Sequence, residues 1–133
     1  ITPSVTPSIT PTSSSSKVLV IVSVGGASMD QGGAEAFRLA RDSTAIGVGT
    51  AAGNRQATSW RDFNGSADPN VAWGGYCFTF LDSPATVSST TYKLQMIAQG
   101  GTGYINRSPA DTDSSASYGT RPASTITVME IAA

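Results

Sequence analysis

The chain has 133 residues, eight basic against nine acidic, a net charge of -1 and no histidine. Its length fits one domain, its charge leaves no cationic excess for a nucleic-acid partner, and the lack of histidine excludes Ser-His-Asp, Cys-His and histidine-zinc chemistry. Charged residues make up 13%, about half the usual share, and the Gly, Ser, Thr and Ala in their place favour strands and turns over helices.

In chain order, residues 1–16 come first, with Thr-Pro at Thr2-Pro3, Thr6-Pro7 and Thr10-Pro11, then Ser13-Ser14-Ser15-Ser16. Each proline fixes its own φ and pushes the preceding residue towards extended geometry, which predicts an extended arm or linker. Val5 and Ile9, one per repeat, are candidate assembly residues on an edge strand; a glycosylated stalk is the competing reading. A start at Ile1 without a signal peptide leads us to expect a fragment or a processed product.

Residues 17–133 read as the folded domain. Val18-Leu19-Val20-Ile21-Val22, closed by Gly25-Gly26, predicts a buried strand. Ala34 to Arg41 reads as a second strand with Phe37 and Leu39 on one face and Arg38 on the other, although its alanines and glutamate would also allow a helical turn. Asp42-Ser43 turns the chain into a returning strand, Thr44 to Gly49. The stretch from Ala51 to Asn70 is polar and aperiodic and predicts a long surface loop, a kind of segment that often carries function.

Tyr76, Phe78 and Phe80 then alternate with Cys77, Thr79 and Leu81. Cys77 has no disulfide partner and is expected to be a small buried residue. Tyr92, Leu94 and Met96 begin a second predicted hairpin that turns at Gly100-Gly101 and returns through Thr102 to Asn106. A polar loop covers 108–122. The last strand, Ser124 to Ile131, holds apolar residues on both faces, so it is either central or covered by another subunit; Ile126, Val128, Met129 and Ile131 are therefore candidate assembly residues. About seven strands predict an all-β, antiparallel sandwich or jelly-roll-like fold carrying the Thr-Pro-rich arm.

Several phrases carry a resemblance: Phe37-Arg38-Leu39 with Arg41-Asp42-Ser43-Thr44, Leu81-Asp82-Ser83-Pro84, Tyr92-Lys93-Leu94-Gln95, Tyr104-Ile105-Asn106-Arg107-Ser108, and the last strand. From about Ile9 to the C-terminus the chain resembles phage tail-fibre-like proteins common in marine and cyanobacterial phages. Such proteins usually have a strand or two before the position of Ile9. Either those strands lie upstream of this chain, or the Thr-Pro repeat fills the same edge. The resemblance implies a virion fibre or appendage, trimeric and at the virion surface or extracellular, and supplies no functional residue.

Without histidine, paired carboxylates remain the one route to glycoside hydrolysis. Asp30, Asp42, Asp62 and Asp82 sit in turns, where carboxylates commonly bind backbone amides, so we expect no enzyme. Gly47-x-Gly49 with Gly53 lacks the spacing of a phosphate loop. Asp111-Thr112-Asp113 lacks the glycine and distal glutamate of a calcium loop. No metal and no cofactor are expected. Asn64-Gly65-Ser66 and Asn106-Arg107-Ser108 match a glycosylation triplet, and Asn64-Gly65 is better explained as a turn.

Trp60, Arg61, Asp62 and Asn64 with Trp73 across the loop form a candidate glycan site, because aromatic faces stack on sugar rings and the polar groups bind hydroxyls. The opposing reading is that both tryptophans pin the loop to the sandwich. Tyr118 is a further candidate on the second loop. The expected partners are other copies of the chain, as a homotrimer or larger assembly, and a host-surface glycan; no nucleic acid and no membrane insertion are expected. The expected function is host-surface adhesion by a virion fibre module. The alternative is a head-decoration or extracellular filament subunit whose arm inserts into the next copy.

Overall fold

The computed structural model describes residues 6–30, 34–63, 73–98 and 101–133, and within them the chain is an antiparallel β-sandwich without an α-helix. Strand β1 is Ser8–Ile9, and β2, Lys17–Met29, is the longest element. The side chains of β2 alternate across the sheet: Val18, Val20, Val22 and Val24 are buried, and Leu19, Ile21 and Ser23 lie on the other face. The remaining strands are β3 (Ala34–Arg41), β4 (Thr44–Ile46), β5 (Trp60–Phe63), β6 (Trp73–Asp82), β7 (Thr90–Ala98), β8 (Gly103–Ile105) and β9 (Thr125–Ile131).

Sheet one places β3 between β7 and the pair β4 and β5, with β1 on the far edge of β7. Sheet two places β2 between β6 and the pair β9 and β8, which follow one another along the same edge. The core lies between the sheets. Phe37, Leu39, Ile46, Tyr92 and Leu94 of sheet one meet the β2 valines, and Tyr76, Phe78, Phe80, Ile126 and Val128 pack around them.

The all-β sandwich expected from the sequence is present, with two short strands, β1 and β5, beyond the seven. The β3–β4 hairpin closes at Asp42-Ser43. Asp42 has φ 52°, a left-handed conformation that Asp tolerates, and its carboxylate accepts a hydrogen bond from the Thr91 amide at 2.9 Å. β4 stops at Ile46, short of Gly49, because Gly47 turns the chain at φ 57° and a Cβ there would press on the Phe80 ring. Gly25-Gly26 does not end β2. The pairing with β6 shifts between Val24 and Ala27, a β-bulge that lets the strand continue to Met29.

The second hairpin is absent. β7 belongs to sheet one and β8 to sheet two, so the chain crosses between sheets where a return was expected. Asp30 fixes the crossing: its amide donates to the Thr102 carbonyl and its carboxylate accepts from the Thr102 amide. Cys77 also differs from expectation. It is exposed, because the inward positions of β6 belong to Tyr76 and Phe78.

The described part of the arm lies on its own domain. The Tyr92 amide donates to the Pro7 carbonyl at 2.9 Å, Ile9 packs on the core and Pro11 is fully buried. Thr12 then reaches β9, donating to Glu130 through its amide at 2.8 Å and its hydroxyl at 2.7 Å. The arm therefore touches both sheets. Beside it, Arg41 of β3 grips the carboxylate of Asp82 of β6 at 2.9 and 3.0 Å, and Tyr92 of β7 donates its hydroxyl to the same group at 2.7 Å. Burial, then the bond to Asp82, pushes the Tyr92 phenol well above its ordinary value.

The Ser16 hydroxyl beside it and the hydrogen bonds from Thr12 hold the Glu130 carboxyl below its ordinary 4.5. A depressed carboxyl contributes stability above its unfolded pKa and loses it as pH falls through the folded value. In an NMR titration the Thr12 amide should report Glu130 with a midpoint below 4.5. A midpoint at or above that value would contradict the docking of the arm.

Candidate functional site

Of the expected glycan constellation, the described residues place Trp60, Arg61 and Asp62 on β5 and Trp73 at the start of β6. Trp60 opens β5 opposite Phe37 in sheet one, whereas Trp73 opens β6 opposite Ser28 in sheet two. The Trp60 ring stacks on Phe37 at 4.8 Å between centroids and packs at a tilt against Phe78 at 4.4 Å. Its faces are thus held by the core, and the pinning role explains it. Arg61 and Asp62 follow it in the same strand, Arg61 pointing outward and exposed. Asn64 lies outside the described residues. Tyr118 sits in a single 3-10 turn, Ser117–Gly119, between β8 and β9.

Asp30, Asp42, Asp82 and Asp111 are engaged in structure. Asp30 and Asp42 bind backbone amides, as their turn positions suggested. Asp82 is 5% exposed and holds Arg41 and Tyr92. Asp111 receives Arg107 at 2.7 Å and Arg121 at 2.6 Å, and the Arg107 hydrogen bond heads the causes that lower its pKa. Glu35 was not singled out from the sequence, yet it is 1% exposed and faces inward beside Phe37, with the Tyr76 hydroxyl at 3.5 Å. The alternation of β3 puts Glu35 on the face of Phe37 and Leu39, and its charge was the misleading signal.

The assembly candidates divide by face. Ile126 and Val128 pack inward, and Ile9 packs on the core from the arm. Val5 lies outside the described residues. Met129 and Ile131 point away from the core at 43% and 44% exposure. Register then adds what the sequence alone could not place beside them: Leu19 pairs with Met129 on one side and with Leu81, 48% exposed, on the other. The next rows are Thr79, Ile21 and Thr127, then Cys77, Ser23 and Thr125. These rows contain no charged residue, and the face meets its first at Lys17, opposite Ile131.

No protein-family model matches the chain, and no curated protein matches it.

Since Trp60 is a packing residue, Trp60→Ala should cost about 3 kcal/mol or more in urea unfolding. Trp60→Phe should cost under about 1 kcal/mol, because the ring contact survives. Unchanged stability of Trp60→Ala would show that the ring does not support the core.

Proposed function

We propose that the chain is a non-catalytic structural and adhesive module of a virion fibre or appendage, working as a homo-oligomer at the virion surface. The uncharged outer face of sheet two carries this reading. Exposed Leu81, Met129 and Ile131 flank Leu19 there, on the flat surface of three paired strands. Such a face, about 14 Å across and about 23 Å long at ordinary strand spacings, is larger than the scattered apolar residues of a typical free surface.

The occupant we assign is a second copy of this chain. Rows of Leu, Ile, Met and Thr present nothing that a like surface would repel, and a charged partner would find no counter-charge. A face of that size is about 320 Å² in plan, so a single pair of faces falls short of the roughly 1,000 Å² of a specific interface and each copy needs more than one such contact. The resemblance to phage tail-fibre-like proteins supports a trimer, in which three such faces turn towards a common axis. A jelly-roll topology belongs to the same expectation. The observations favouring adhesion over catalysis are the absence of histidine and the use of Asp42, Asp82 and Asp111 as structural ligands.

The alternative, a head-decoration or filament subunit built by arm exchange, finds less support. Thr6 to Ser16 lie against their own domain, and Pro7, Ser8 and Thr12 hydrogen-bond within the chain. An exchanged arm would first have to leave these contacts.

Light scattering should give a discrete multiple of the 13.6 kDa monomer for the native chain. Leu81→Asp with Met129→Asp should return it to monomer while leaving the melting temperature within a few degrees, as expected of surface substitutions. An unchanged mass in the double variant would remove this face from the assembly.

A further inference from the structure

The outer face of sheet one has the opposite chemistry. Arg38, Arg61 and Lys93 lie on the face turned away from Phe37, Trp60 and Leu94. Ala36 sits between Arg61 and Ile97 in register, so one small and one branched apolar side chain form a floor beside Arg61. Above this floor stands a short turn. Ala52 and Arg55 exchange backbone hydrogen bonds at 3.1 and 3.3 Å, with Gly53 at φ 59° between them.

Between turn and sheet runs an open groove of about 680 Å³, lined by Asn54, Arg55 and Gln56 from the turn and by Ala36, Arg61 and Ile97 from the sheet. That volume is within the range of small-ligand sites. Among the described residues no carboxylate lines the groove. The Arg55 Nε donates to the Ala52 carbonyl at 3.0 Å, which orients the guanidinium on its turn. Its Nη groups have no partner among the described residues, and neither does the Arg61 guanidinium. Two unpaired, partly pre-positioned guanidinium groups over one cleft are suited to a carboxylate, which each can bind through two parallel hydrogen bonds.

We propose that this groove binds a carboxylate-bearing saccharide. The inference rests on the adhesion reading above and gives that reading a ligand class. Neutral sugars are commonly held by stacking on an aromatic ring, and among the described residues the groove lining has none. The Asn54 and Gln56 amides can each donate to and accept from hydroxyls, while the Ala36–Ile97 floor suits the C–H face of a sugar ring. An acidic peptide fits less well, because the floor is the face of a sheet and offers no free strand edge for a main-chain ladder. Arg38 is held by Gln95 at 2.7 and 2.9 Å in the neighbouring row and extends the positive field that would draw an anion in.

Calorimetric titration of the whole chain with tetragalacturonate, its methyl ester, cellotetraose and tetraglutamate tests the assignment. Tetragalacturonate should bind, the ester and cellotetraose about tenfold or more weakly, and tetraglutamate not measurably. Arg55→Ala and Arg61→Ala should each weaken tetragalacturonate by about tenfold without moving the melting temperature, and added salt should weaken it too. Ester or cellotetraose binding as tight as tetragalacturonate, or no effect of the arginine variants, would leave a glycan adhesin but overturn the acidic-ligand site. Tetraglutamate binding as tight would overturn the saccharide class. No binding of any of the four would overturn the assignment and the adhesion reading together.

Discussion

The valine stripe of β2 is the constraint from which the rest of the architecture follows. Val18, Val20, Val22 and Val24 can be buried together only if one face of a long strand points into the sandwich. The same alternation then forces Leu19 and Ile21 outward, and pairing with β6 and β9 brings Leu81 and Met129 to their sides. A slip of one residue would bury Leu19 and Ile21 and expose the valines. The core and the apolar outer face are thus two consequences of one register.

The ends of the sandwich depend on polar contacts of longer reach. Asp82 takes Arg41 and Tyr92 from sheet one while standing opposite Val18 in sheet two, so a nearly buried carboxylate ties the layers together. A carboxylate so placed is costly unless its oxygens are satisfied, and here Arg41 and Tyr92 make three hydrogen bonds to it. The arm closes the same end, passing from β7 to Glu130 of β9. With both layers fixed, the two outer faces can differ: one cationic with an overhanging turn, the other free of charge across its central rows.

Much of this was legible in the sequence, as alternation in Tyr76–Leu81 and Tyr92–Met96 and as β-branched apolar runs in Val18–Val22 and the last strand. Even the exposure of Cys77 follows from that alternation, and its small apolar character was the misleading signal. Trp60 was harder. Its strand has four residues, too few for a period to stand out from a Ser- and Asn-rich setting, and only the pairing with Phe37 explains the ring. The expected hairpin after Met96 failed because Gly100-Gly101 marks a turn without saying whether the next strand returns to the same sheet; Asp30, seventy residues away in sequence terms, decides it. For the same reason Arg55 and Arg61 could not be read as neighbours across a groove, nor Leu19, Leu81 and Met129 as one row.

The central claim is that another copy covers the outer face of sheet two, and Cys77, exposed in the row with Ser23 and Thr125, is a native reporter of it. The measurement is the rate of maleimide labelling of this thiol across a series of protein concentrations. The account predicts a rate that falls as the chain associates, and that stays high at every concentration when Leu81 and Met129 are replaced by Asp. A rate that does not change while the chain associates would place the interface elsewhere and contradict the account.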